Sequence, residues 1–320
     1  MTSVHDPGSA LPPLPHPGPE PSRPVASTTS PVPAGPASPG EQPPPAPFAD
    51  QVRLEADGED QYLGLCHEGR KGAGFGGSVL AQALAAACRT VPGQRPVHSL
   101  HAYFLRPVSC EEKVAYRALR MRDGRSYSLR QVLARQSAGE VLSLHASFKS
   151  PEPDGHRSQV EAPGVPGPEG LADALDGHRS PTLREVLDLR YVPEEEVQVG
   201  GSEGEFTLHT WSRTRLPLPP ESAAHACALA YLSDVTLAPT ATRAFHRVFP
   251  RSGGSPVRLV SLDHALWFHR PVRADAWLLF AQRSRIAADG RALCQGEFFT
   301  RDGELVATAA QEALLRAPAD

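Results

Sequence analysis

The chain has 320 residues, enough for one or two domains with a sizeable buried core. Its formal net charge of −4 argues against a basic nucleic-acid surface as the main partner. The 5 cysteines are scattered and none sits in a Cys-x-x-Cys pair, which disfavours both a disulfide framework and a zinc ribbon.

Residues 1–47 hold nearly half of the 34 prolines, interleaved with Ser, Gly and Ala. Such a segment buries too little apolar surface to offset its chain entropy, so a disordered tail is expected. It reads as a solvating extension or as a Pro-rich ligand for a partner. Its start lacks a basic, then apolar, signal-peptide pattern, and the final Ala317-Pro318-Ala319-Asp320 is not a peroxisomal tripeptide. No run approaches the roughly eighteen apolar residues of a membrane span, so a cytoplasmic protein is expected.

The first folded unit is expected over 48–150. Gly76-Gly77 opens an apolar run from Val79 to Ala87, built of strong helix formers and apolar nearly all round. That is the pattern of a helix wrapped by other structure. Strand-like runs follow at about 97–105, 113–121, 126–136 and 140–148, with turns at Asp123-Gly124 and Ala138-Gly139. Residues 151–195, rich in Pro and Gly over their first part, read as a linker that ends in a short helix from Thr182 to Leu189. A second unit, 196–320, repeats the plan. It has a strand around Phe206–Trp211, a small-residue helix from Glu221 to Asp234, and four strands at about 257–269, 277–285, 291–300 and 304–315.

The two units share sequence as well as plan. Ala102-Tyr103-Phe104-Leu105-Arg106-Pro107-Val108 returns 164 positions later as Leu266-Trp267-Phe268-His269-Arg270-Pro271-Val272. At the same spacing Gly139-Glu140 returns as Gly303-Glu304, so one structural unit is present twice. That register pairs Val97 with Ser261 and Ser147 with Gln311. Only the second copy therefore holds this hydroxyl and this amide, and Asp234 closes its otherwise apolar helix. Ser261 and Asp263 are expected on one strand face, with Ala265 and Trp267.

Other motifs carry less. Gly72 to Gly77 matches G-x-G-x-x-G, but basic residues precede it and an antiparallel meander follows, against a dinucleotide fold. There is no Gly-x-Ser-x-Gly nucleophile elbow. His98, His101, His264 and His269 lack carboxylate or cysteine companions at ligand spacing, so packed histidines and no metal are expected. Asp263 and His264 are strand neighbours, point to opposite faces, and form no local dyad.

Three stretches in the first half and three in the second resemble the TesB-type acyl-CoA thioesterases. These are Phe75-Gly76-Gly77 with Ala81-Gln82-Ala83-Leu84, His98 to Pro107, and Arg122 to Ser126, then Ala230 to Asp234, Leu262 to Pro271, and Gln311-Glu312. The resemblance covers about residues 48–316. It implies an α+β double hotdog fold, each half a long helix wrapped by an antiparallel sheet. It further implies a homo-oligomer with acyl-CoA as its substrate and no cofactor. The catalytic Asp, Thr and Gln of that family carry over to Asp234, Ser261 and Gln311, with Ser standing where the family usually has Thr.

On that footing the expected reaction is direct hydrolysis of an acyl-CoA thioester, with no covalent acyl-enzyme. Asp234 is the expected general base, and Ser261 and Gln311 orient the water. Helix N-terminal N–H groups near Gly76 and Gly77 are expected to polarise the thioester carbonyl. Arg122 or Arg125 meets CoA phosphates, or is merely a solvated turn residue. Two alternatives stay open: a hotdog acyl-CoA hydratase or dehydratase, and a catalytically weak acyl-CoA-binding protein.

Overall fold

The computed structural model describes residues 48–70, 73–92, 95–153, 158–197, 206–242 and 258–316. The Pro-rich segment expected to be a disordered tail lies outside them. The first repeat opens with α1 (Phe48–Gln51) and four short strands, β1 (Glu55–Ala56), β2 (Gln61–Gly64), β3 (Glu68–Arg70) and β4 (Ala73–Gly74). It continues with the helix α2 (Gly76–Cys88) and the long strands β5 (Val97–Phe104), β6 (Val114–Asp123), β7 (Tyr127–Gln136) and β8 (Gly139–Lys149). Then come α3 (Pro181–Val186), β9 (Leu187–Tyr191) and β10 (Phe206–Thr214). The second repeat has α4 (Ser222–Thr236), β11 (Arg258–Ser261), β12 (Asp263–Phe268), β13 (Leu278–Ala288), β14 (Arg291–Thr300) and β15 (Leu305–Arg316).

Thirteen of these strands form one antiparallel sheet, in the order β1-β2-β6-β7-β8-β5-β12-β15-β14-β13-β10-β9, with β11 also on β15. The two repeats meet where β5 pairs with β12, and there His101 lies opposite Ala265. Those residues are themselves 164 positions apart, so the internal two-fold relation of the sheet passes between them. The same spacing carries β7 onto β14 end to end.

Each long helix lies against strands of its own repeat, and α2 also packs on α4. Val79, Leu80, Ala81, Ala83, Leu84, Ala86 and Ala87 of α2 are all buried, which explains why that run is apolar on every side. Ala228, Leu229, Ala230 and Tyr231 play the same part in α4. The sheet turns follow their glycines. Asp289 and Gly290 take φ of 51° and 68°, the left-handed pair that a two-residue hairpin between β13 and β14 requires.

Three local expectations change. The helix read as Thr182 to Leu189 is Pro181–Val186, with Ser180 capping it from Oγ to the Leu183 N–H. Leu187–Tyr191 instead pairs antiparallel with β10 as an edge strand, so the segment read as a linker contributes to the sheet. The second long helix runs on to Thr236, which leaves Asp234 inside its last turn rather than at its end.

Candidate active site

The third change builds the site. Along β11, Ser261 lies opposite Ala313 of β15, whereas along β12, Ala265 lies opposite Ala310. The register slips by one residue between them. Such a bulge re-aims side chains, and here it puts Ser261 on the same face as His264 instead of the face of Asp263. The Asp263 carboxylate turns to the backbone and accepts the Glu312 N–H at 2.6 Å, filling a gap in the ladder. The first repeat carries the same irregularity between Val97 and Ser99, at the equivalent place.

Gln311 projects from β15 onto that face and is fully buried. Its Nε2 donates to Asp234 Oδ1 at 2.7 Å and to Ser261 Oγ at 3.0 Å. The structure thus gathers the three second-copy residues that the sequence singled out, although they lie on a helix and two strands. Asp234 also accepts the backbone N–H of Gly77, from the first turn of α2. A Cβ at Gly76 would stand 2.9 Å from Asp234 Oδ2, so glycine there lets the carboxylate rest on the helix start. In this structure the Gly77 N–H, one of the two donors expected to polarise a carbonyl, is engaged by the base.

The electrostatics follow from burial. Loss of solvation pushes the Asp234 carboxyl up to about 7, while the hydrogen bonds from Gln311 and the Gly77 N–H pull the other way. A carboxylate near the C-terminal end of its own helix is unfavourable, and the N-terminal end of α2 offsets this. Burial thus raises the Asp234 carboxyl toward the range in which a general base works near neutral pH.

His264 is the residue that sequence reasoning missed. It is fully buried, its Nδ1 lies 3.8 Å from Asp234 Oδ1, and its Nε2 lies 2.8 Å from Ser233 Oγ. Its partner is 30 positions upstream, on a helix, so no local pattern announces it. The other singled-out histidines are occupied otherwise. His98 meets Ser147 Oγ at 2.8 Å, His269 meets Thr308 Oγ1 at 2.8 Å, and His101 packs edge-on against Trp267. Arg122 and Arg125 are exposed near the β6–β7 turn.

Among the described residues of the first repeat no such trio meets, and a different arrangement stands at the end of its helix. Thr90, just past the end of α2, is bonded through Oγ1 and its carbonyl by the fully buried guanidinium of Arg130. Arg130 also reaches Asp123 Oδ1 at 2.8 Å. In the second repeat the position 164 further on is Cys294, small enough to leave room for Gln311 beside it.

Two family models match the chain. The acyl-CoA thioesterase N-terminal domain matches residues 68–149, and the acyl-CoA thioesterase C-terminal domain matches residues 153–315. Acyl-CoA thioesterase 2 of Haemophilus influenzae is 34% identical over 270 residues, covering 81% of this chain and 91% of that protein. Human acyl-coenzyme A thioesterase 8 is 35% identical over 261 residues, covering 76% of this chain and 80% of its own length. The crystal structure of the acyl-CoA thioesterase II TesB2 from Mycobacterium marinum superposes with a TM-score of 0.72 at 36% identity, covering 85% of this chain and 98% of that one. A hot dog fold protein from Alicyclobacillus acidocaldarius, 24% identical, shares the fold with a TM-score of 0.68. The chain belongs to the TesB-type acyl-CoA thioesterase family and has its α+β double hotdog fold.

Proposed function

We propose that this chain hydrolyses acyl-CoA to free acid and CoA by direct attack of a water molecule held at Asp234, Ser261 and Gln311. The observation that carries the reading is the meeting of these three side chains at one buried point, where burial raises the carboxyl. Asp234 takes a proton from the water as it attacks the thioester carbonyl. Gln311 fixes the carboxylate through Nε2 and ties it to the Ser261 hydroxyl, so both polar groups face the reacting water from set directions. With the Gly77 N–H engaged by Asp234, the Gly76 N–H in the first turn of α2 is the remaining helix-start donor for a developing oxyanion.

Ser261 is not the nucleophile in this scheme. Its oxygen accepts from an amide, and that amide is no base to activate it. The leaving thiol has a reference pKa of about 8.5 by analogy with cysteine, so expulsion makes no strong demand for a general acid.

The same reading divides the folded chain into an N-terminal hotdog (48–150), a connecting segment (151–195) and a C-terminal hotdog (196–320) that holds the catalytic residues. A homo-oligomer in the cytoplasm fits the family and the acidic charge balance. Among the described residues no helix is long and apolar enough to cross a membrane.

One observation favours a second reading. An Asp/His pair is what a hotdog hydratase or dehydratase uses, and Asp234 and His264 are such neighbours. Thiol release from a panel of acyl-CoAs, short to long, with Asp234→Asn beside the wild type, separates the possibilities. Release by the wild type alone supports hydrolysis. Solvent-isotope incorporation into an enoyl-CoA without thiol release favours the hydratase. Binding without either reaction leaves an acyl-CoA-binding protein.

A further inference from the structure

The contacts of Ser233 bear on the tautomer of His264. Ser233 Oγ lies 2.9 Å from the Ala230 carbonyl, which only accepts, so the serine proton goes there. The remaining capacity of that oxygen is to accept, and the atom facing it at 2.8 Å is His264 Nε2. With the imidazole proton on Nε2, Nδ1 keeps a bare lone pair. That Nδ1 is buried and has no hydrogen-bond partner, and it faces Asp234 Oδ1 across 3.8 Å.

We propose that His264 is a positioning residue that sets the basicity of Asp234, by facing it with an unprotonated Nδ1 whose tautomer Ser233 fixes. A lone pair opposite a carboxylate disfavours the ion. Across 3.8 Å, longer than a hydrogen bond, the same lone pair acts on Asp234 through its electrostatic field and favours the neutral acid just after it has taken a proton from water. An imidazole with the opposite tautomer would donate to the carboxylate, hold it ionised, and make it a weaker base. His264 itself stays neutral, because burial depresses its pKa to about 3. It serves as an acceptor and carries no proton of the reaction.

The other groups facing Asp234 leave this role to His264. From α2 comes the Gly77 N–H, and from β15 the Gln311 amide donor, both of which favour the ion. Ser261 stands behind the Gln311 amide on β11. From α4 itself comes Tyr231, whose hydroxyl is engaged by His67 Nε2 at 2.6 Å and whose phenol the Asp234 charge helps to keep protonated. From β5, the Phe104 ring packs at Gly76 and offers no charge. The neighbouring Asp263 points the other way, onto the Glu312 N–H.

The inference rests on the reading of Asp234 as the base, and its test keeps the two apart. The variant is Ser233→Ala, which leaves every residue placed at the water untouched. Without the serine oxygen the imidazole is free to move its proton to Nδ1 and donate to Asp234. The expected result is a fall of about one pH unit or more in the acidic limb of kcat/KM, with a lower plateau, while KM changes little. Nitrogen-15 NMR of histidine-labelled protein adds a readout independent of turnover. His264 is expected as the neutral Nε2–H tautomer in the wild type and shifted toward Nδ1–H in Ser233→Ala. An acidic limb unmoved by Ser233→Ala, or a wild-type His264 that is cationic or Nδ1-protonated, overturns the proposal. Full turnover in Asp234→Asn instead removes the base itself, a different failure.

Discussion

The carboxylate of Asp234, in the last turn of one repeat's helix, accepts the backbone N–H of Gly77, in the first turn of the other's. The polar chemistry belongs to the second repeat, but the helix start that receives it belongs to the first. Neither half holds a complete site alone. The first repeat thus supplies α2 and its N-terminal glycines to the candidate site, while its own buried Arg130 is bonded to Thr90.

The first consequence is catalytic. Asp234→Asn is expected to lower turnover by about 10² or more, within the usual range for losing a general base, while acyl-CoA binding persists. Steady-state thiol release alongside equilibrium binding checks this. Near wild-type turnover in the variant removes Asp234 from the mechanism.

The pH dependence follows with a definite sign. The Asp234 carboxyl stands at about 7 in the folded chain against a usual 3.8, and the base must be ionised to act. kcat/KM is therefore expected to rise from pH 5 to pH 8 with an apparent pKa near 7. Stability runs the opposite way. A raised carboxyl favours the folded state below about pH 4, and this contribution is lost as pH climbs through about 7. Asp234→Asn should then raise the folding stability at pH 8, by up to roughly 4 kcal/mol at about 1.36 kcal/mol per unit and with a higher Tm, and leave it unchanged at pH 4. Calorimetry at the two pH values decides, and an equal effect at both contradicts the assignment.

Gly76 and Gly77 should respond differently to alanine. At Gly76 the new Cβ meets Asp234 Oδ2 at 2.9 Å and Phe104 Cε1 at 3.2 Å, so the carboxylate is pushed off its hydrogen bonds. Turnover is expected to fall by roughly 10-fold or more with little change in Tm. At Gly77 the Cβ meets the Phe75 ring at 2.5 Å and the Tyr231 carbonyl at 2.9 Å, so the two helices must part. A destabilisation of about 1–3 kcal/mol is expected there, read from denaturant midpoints.

Ser261→Thr should be tolerated and should equal or exceed the wild type, since threonine keeps the hydroxyl that Gln311 reaches. Ser261→Ala should lose roughly 10-fold in kcat by freeing the water. A collapse of Ser261→Thr without loss of fold contradicts the water-positioning role.

In the first repeat, Arg130→Met should cost about 1–3 kcal/mol in stability, chiefly by leaving the buried Thr90 carbonyl without the guanidinium it accepts from. Urea denaturation measures it. The specific activity of the folded fraction should be retained, because Arg130 serves the vacant half.

The amino-acid sequence by itself determined the repeat, the helix-then-meander order and three of the residues at the site. It could do so because sheet register is local. A two-residue period and a fixed spacing place a strand residue on a face, and β7 and β14 duly match end to end. Ser261 and Gln311 stood out against Val97 and Ser147 at the repeat spacing, and the resemblance to the TesB family joined Asp234 to them as candidates. Tertiary structure decided the rest. The one-residue slip between Ser261 and Ala265 turns Ser261 onto the face of His264, and nothing in a strand's alternation signals where a bulge falls. The pairing of Gly77 with Asp234 and the approach of His264 both depend on how α2 and α4 pack over the sheet. Those contacts join residues far apart in the chain through burial, which raises the carboxyl of Asp234 and which no spacing along the chain encodes.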